Sequence, residues 1–322
     1  MFSTCARVPL GIFPTPLQDM KNLSRYLGGP RIFIKRDDLT GLALGGNKVR
    51  KLEYILADAL QQKADVIITI GAVTSNHARQ TAAAAALLGL ECQLVLIGRE
   101  PAYAQGNYLL DQLLGASTCC VRNSEVETTV AQLVARNHQL GKKSYVIPAG
   151  GHTTLGAMAY CDAYQEIKAQ AVQPFAAIIT AIGTGTTYAG LYLGQKVCQD
   201  AGQVLGISVG GDPNWCAGEI LSIVNVIESD MKLTLSKAQD LHVYDAYIGE
   251  GYTKPYPRVR EVIQLLARKE GVLLDPVYSG KAMTGLLDLI EKGLFSKEEN
   301  VVFLHTGGAP ELFTMHQFLS EA

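Results

Sequence analysis

Short apolar runs bounded by glycine and polar turns alternate with longer amphipathic or alanine-rich stretches along almost the whole chain. Residues 32–35, 66–71, 93–98, 118–122, 144–149, 175–182, 204–209 and 301–305 read as buried strands. Between them, residues 49–61, 76–88, 107–114, 126–140, 154–169 and 188–200 have helical spacing or helix-forming composition. Strands that are apolar throughout, each followed by a helix, predict parallel sheets covered on both faces, an α/β architecture. The middle third repeats this unit with short connections, and a second set of units runs from about residue 175 to the end.

Composition narrows the class without changing the architecture. A chain of 322 residues exceeds what one core usually holds and suits two domains. Hydrophobic residues at 48% and charged residues at 18% predict a packed globular protein. A formal net charge of −2 gives no field to gather nucleic acid or an anionic membrane surface. No apolar run approaches the length of a membrane span, and residues 1–11 lack a charged segment followed by an apolar one, so a cytoplasmic protein is expected. The seven cysteines include no CxxC and the six histidines no metal spacing, so neither a disulfide framework nor a metal site is expected.

The candidate chemistry lies where strand-like runs lead into helices, the usual ligand position in parallel sheets. In Gly45-Gly46-Asn47-Lys48-Val49-Arg50-Lys51, three cations crowd the start of a helix, the unfavourable end for positive charge unless an anion sits close by. A lysine among cations is also the kind that attacks carbonyls; the plainer alternative is a glycine turn into a solvated basic helix. Ser75 can cap the helix that follows residues 66–71, and Asn76, His77 and Gln80 add donors that a mere cap does not need. Gly183, Thr184, Gly185, Thr186 and Thr187 form a nest of small residues with free amides, suited to phosphate. The same loop, with Asp212 near the end of the next strand, leaves a nicotinamide-binding unit open, although Tyr188 stands where the third glycine of that motif belongs. Tyr252, Tyr278 and Thr306 occupy turns or strand ends beside glycines, positions that also suit ordinary packing.

Taken in order, PTPL (14–17), KRDDL (35–39), GGNKVRKLE (45–53), SNHARQTAAAAA (75–86), GTGTT (183–187), DPVYSGKAM (275–283) and HTGG (305–308) span nearly the whole chain. This series resembles the D-cysteine desulfhydrase and 1-aminocyclopropane-1-carboxylate deaminase family of pyridoxal phosphate enzymes, which have the tryptophan synthase β-like fold (fold type II). The resemblance implies a large cofactor-binding domain, residues 1–47 and 161–322, with a small α/β domain, residues 48–160, inserted into it. It implies a homodimer acting on a small amino acid. Lys48 would be the Schiff-base lysine, and Asn76 would meet the cofactor's ring oxygen. Lys51 with Gly183, Thr184, Gly185, Thr186 and Thr187 would hold the phosphate, and Thr306 would touch the pyridine nitrogen. Ser75, Asn76, His77, Gln80, Tyr252, Tyr278 and Ser279 would face the substrate, with Lys48, Ser75, Tyr252 and Tyr278 carrying catalysis.

Deaminases of this family carry a glutamate and a leucine where this chain has Ser279 and Thr306. Two neutral hydroxyls there would leave the pyridine nitrogen unprotonated and the ring a weaker electron sink. The implied reaction is therefore α,β-elimination of D-cysteine to pyruvate, hydrogen sulfide and ammonia. The alternatives are deamination of the cyclopropane amino acid or sulfite elimination from L-cysteate on the same fold and, more remotely, a nicotinamide-binding or non-enzymatic α/β protein.

Overall fold

The computed structural model describes residues 5–320; residues 1–4, part of the stretch read for a leader, lie outside it. The strand–helix alternation resolves into two sheets. One has six strands, in the order β1 (Leu17–Asp19), β2 (Arg31–Arg36), β10 (Asn300–His305), β7 (Ala177–Ile182), β8 (Gln203–Ser208) and β9 (His242–Tyr244). All its pairings are parallel except that of β1 with β2. The other has four parallel strands, in the order β5 (Ser117–Val121), β4 (Glu91–Ile97), β3 (Val66–Ala72) and β6 (Ser144–Ile147). The run 144–149 ends early as a strand because Pro148 has no N–H to give the ladder.

The continuous apolar strands divide their side chains between two covered faces. Along β7, Ala177, Ile179 and Ala181 enter one core while Ile178 and Ile182 enter the other. Val301 and Phe303 of β10 alternate with Val302 and Leu304 in the same way. In the smaller sheet Ile67 packs on one side and Val66 with Ile68 on the other. Sheets buried on both faces need such runs. Helices Thr154–Gln170 and Thr186–Val197 lie in close contact through Gly190, where a Cβ would stand 2.1 Å from the Ala157 carbonyl oxygen.

A buried charge cluster pins the start of helix Lys48–Gln61. The Arg50 guanidinium donates to Asp37 Oδ1 and Oδ2 (2.8 and 2.9 Å) and to Glu166 Oε1 and Oε2 (2.8 and 2.9 Å). Tyr160 Oη donates to Asp37 Oδ2 at 2.5 Å, and the Lys35 ammonium pairs with Glu166. Arg50, grouped by sequence with the cations awaiting an anion, thus already has two carboxylates of its own. Burial alone would raise the Asp37 carboxyl, but Arg50, Tyr160 and Thr15 hold it below the ordinary value. Glu166 is lowered against its burial by Arg50 and Lys35.

Arg50→Met should therefore cost about 3–5 kcal/mol in denaturant titration, because it strands buried carboxylates. The sign of the acid response follows from the two lowered values. Each group's contribution is present above its unfolded pKa and lost as pH falls through the folded one, so wild type should lose stability on acidification by a margin the variant lacks. Equal acid sensitivity in both would contradict this account.

Candidate active site

The ends of β3, β7, β8 and β10 converge on a cavity of about 830 Å³ lined from both sheets. Lys48 reaches it because the chain turns sharply just before its helix. Gly45 has φ +64°, and a Cβ there would stand 2.1 Å from the Asp38 carbonyl oxygen. The Gly46 amide donates to the Asp37 carbonyl and to Thr40 Oγ1, and the Asn47 amide donates to the Thr306 carbonyl at the end of β10. Lys48 Nζ and Lys51 Nζ then both donate to the Gly150 carbonyl, each at 3.2 Å.

This corner is rich in bases and poor in acids. Burial brings the Lys48 amine down to about 8, partly offset by its hydrogen bond with Lys51. Lys51 falls well below the ordinary lysine value through burial and then through Lys48. His77 is lowered by burial and by both lysines, and no carboxylate offsets any of the three. Such a place favours a neutral amine and accepts an anion.

Across the cavity, β7 ends at Ile182 and residues 183–187 lead into helix Thr186–Val197. Gly185, with φ +81°, caps that helix without a side-chain hydrogen bond, leaving first-turn amides free for an anionic ligand. Asn47 Nδ2 donates to Thr187 Oγ1 at 3.2 Å, and His152 Nδ1 lies 2.9 Å from Thr186 Oγ1. Beyond β3, Ser75 Oγ caps helix Asn76–Leu87 by accepting from the Ala78 amide at 3.2 Å. His77 Nε2 lies 2.9 Å from Thr69 Oγ1, while its buried Nδ1 has no partner among the described residues.

The tyrosine pair comes from the larger sheet's side. Tyr252 and Tyr278 share a hydroxyl–hydroxyl hydrogen bond, their rings 5.8 Å apart and at 71°. Burial lifts both phenols above the ordinary value, Tyr278 the further. Asp275 fixes Tyr278 by accepting from the amides of Val277, Tyr278 and Ser279. Lys281 holds the other partner's loop by donating to the carbonyls of Ile248 and Gly251 (2.7 and 2.8 Å).

Lys48, Lys51, Ser75, Asn76, His77, Gly183, Thr184, Gly185, Thr186, Thr187, Tyr252, Tyr278 and Thr306 all line this one cavity. Two expected substrate contacts do not. Gln80 is fully buried beneath it, its Oε1 accepting from the Val49 amide at 3.0 Å, so it props the Lys48 helix. Ser279 is also buried, its Oγ donating to Asp275 Oδ1 at 2.6 Å and accepting from the Asp275 amide. Of the two hydroxyls read as neutral neighbours of a pyridine nitrogen, only Thr306 reaches the cavity.

The sequence reading missed Asn47, Gly150 and Trp215, which also line it. The Gly210-Gly211-Asp212 step after β8 is the signal that could have found Trp215. Asp212 Oδ1 accepts from the amides of Asn214 and Trp215, so it caps a helix and is engaged within the protein. Among the described residues no group of His, Cys, Asp and Glu is placed to hold a metal, and no helix is long and apolar enough to cross a membrane.

Comparison with known proteins identifies the family. Residues 8–307 match the family model described as pyridoxal-phosphate dependent enzyme, and the chain belongs to that family. It is thus a pyridoxal phosphate enzyme with the fold type II architecture. Within the family it is 41% identical over 311 residues to D-cysteine desulfhydrases of Salmonella choleraesuis (strain SC-B67) and Salmonella newport (strain SL254), covering 94% of this chain and 94% of each relative. A crystal structure described as the ACC deaminase homologue superposes with TM-score 0.91 at 39% identity, over 99% of this chain and 96% of that one. A hydrogen sulfide-producing enzyme of Fusobacterium nucleatum shares the fold, with TM-score 0.68 at 17% identity over 93% of this chain and 96% of that one.

Proposed function

We propose that this chain is a carbon–sulfur lyase that converts D-cysteine and water to pyruvate, hydrogen sulfide and ammonia, with Lys48 as the amine that engages the cofactor. The observation that carries this is the desolvated Lys48–Lys51 pair, without an offsetting carboxylate, across one cavity from the open helix start at residues 183–187. That set fits pyridoxal phosphate: an amine of lowered pKa for the aldehyde, and loop amides, hydroxyls and Lys51 for the phosphate. The relatives named D-cysteine desulfhydrase support the choice of substrate.

Pyridoxal phosphate, when bound, supplies the electron sink that stabilises negative charge at the substrate's α-carbon. The chain's own residues do the rest. First-turn amides near Ser75 and Asn76, with His77 beside them, hold the substrate carboxylate. Lys48, as a neutral amine, takes the α-proton, and the Tyr252–Tyr278 pair relays or tunes a proton beside it. Thr306, which lines the cavity, would offer the pyridine nitrogen a neutral hydroxyl, a setting that suits a substrate with a good leaving group. In the same reading residues 1–47 and 161–322 form the larger domain and residues 48–160 the smaller. The working form is a cytoplasmic homodimer that needs neither nucleic acid nor membrane.

The likeness to the ACC deaminase homologue favours one second reading, deamination of the cyclopropane amino acid. Steady-state turnover of D-cysteine, L-cysteine, D-serine, cysteate and 1-aminocyclopropane-1-carboxylate separates the two. Sulfide and pyruvate from D-cysteine should form at least about tenfold faster than any product of the cyclopropane substrate. Efficient ring opening with no sulfide release would transfer the assignment to the deaminase reaction.

A further inference from the structure

We propose that Asn107, which lies behind the cavity wall on helix Gly106–Leu113, is a positioning residue that fixes which end of the Asn76 amide the ligand meets. This rests on the reading above that Asn76 meets the cofactor's ring oxygen. Asn107 is 1% exposed, and its Nδ2 donates to the Thr74 carbonyl at 2.6 Å and to Asn76 Oδ1 at 3.0 Å. An amide nitrogen and oxygen are told apart by their partners. The Thr74 carbonyl can only accept, so the Asn107 nitrogen must face it. The atom of Asn76 beside that nitrogen must then be its oxygen.

Arg79 gives the same answer from another side. Its Nη2 lies 3.5 Å from Asn76 Oδ1, and a guanidinium can only donate. Arg79 is itself held by the carbonyls of Ala43 and Gly45 (2.8 and 3.1 Å), in the turn that leads to Lys48. With its oxygen facing two donors, Asn76 has its N–H groups left for the cavity it lines. The ligand atom this suits is an oxyanion on an aromatic ring, and the Asn107 anchor keeps the amide from flipping when the cavity empties. The arrangement leaves Asn107 Oδ1 buried without a partner among the described residues, a cost that orienting Asn76 explains.

The test measures binding to full-length protein stripped of cofactor, by quenching of its only tryptophan, Trp215, which lines the cavity. The probes are pyridoxal phosphate and its 3-deoxy analogue, which lacks the ring oxygen. Wild type should bind the parent compound at least about tenfold more tightly than the analogue. Asn107→Leu, and Asn107→Asp as a second variant should the first fail to fold, should bring the two affinities within about twofold by weakening the parent alone. Adding Asn107→Leu to Asn76→Ala should change the ratio no further. Retained discrimination in a folded Asn107 variant overturns this proposal and leaves the role of Asn76 intact. Equal binding of both probes by wild type overturns that role, and this inference with it.

Discussion

Lys48→Ala should abolish the covalent, borohydride-sensitive chromophore of the cofactor-loaded protein and lower turnover of D-cysteine by at least about 10³-fold. Two neighbouring lysines donate to the Gly150 carbonyl and both have lowered pKa values, so the expectation must separate them. Lys51 is 1% exposed whereas Lys48 is partly exposed, and an anion placed beside Lys51 would restore the charge that burial and Lys48 disfavour. Lys51→Ala should therefore keep the chromophore at saturating cofactor but raise the dissociation constant.

The pH response has a defined sign. Only the neutral amine attacks an aldehyde, and the Lys48 amine titrates at about 8. The rate at which stripped protein recaptures cofactor should thus rise about tenfold per unit at lower pH and level off above that value. Peptide mapping after borohydride reduction should place the label on Lys48, and a label on Lys51 would reassign the nucleophile.

Tyr278→Phe should depress turnover by about 10²–10³-fold while leaving bound cofactor within error of wild type. The backbone around Tyr278 is held by Asp275, so losing one hydroxyl leaves the ring in place. What disappears is the hydrogen bond to Tyr252 and with it the proton relay that the proposed function places there. Turnover and absorbance measured on one preparation check this. Unchanged turnover would reduce Tyr278 to a packing residue against Gly183, where a Cβ would stand 3.3 Å from its ring.

Both expectations rest on residues legible before any coordinates, because motif order over the whole chain identified the family and placed half of the residues that line the cavity. The eight expected strands all appear, most within a residue or two at each end. However, β5, expected to be buried, is an edge strand with every residue at least partly exposed, and β6 at the other edge buries only Ile147. The three-residue strands β1 and β9 left no signal in the sequence. Helix Pro213–Met231 did leave one, because Cys216, Ile220, Ile223, Val224 and Ile227, which it buries, recur at helical spacing.

Gln80 and Ser279 show a different limit. Each stands beside true cavity residues in sequence, yet each points into the protein, Gln80 at the Val49 amide and Ser279 at Asp275. Sequence spacing places a residue on an element, but its direction within a fully buried helix depends on packing from several sides. Arg50 was misread for the same reason, because its partners Asp37 and Glu166 lie 13 and 116 positions away.

That knot of Asp37, Arg50, Tyr160 and Glu166 sits where the chain leaves the larger sheet for the smaller and where it returns. A cluster fastened at both crossings ties the two connections between the sheets to each other. Lys48 stands two residues from Arg50, so the nucleophile starts its helix from the point where the chain is anchored most firmly to both connections.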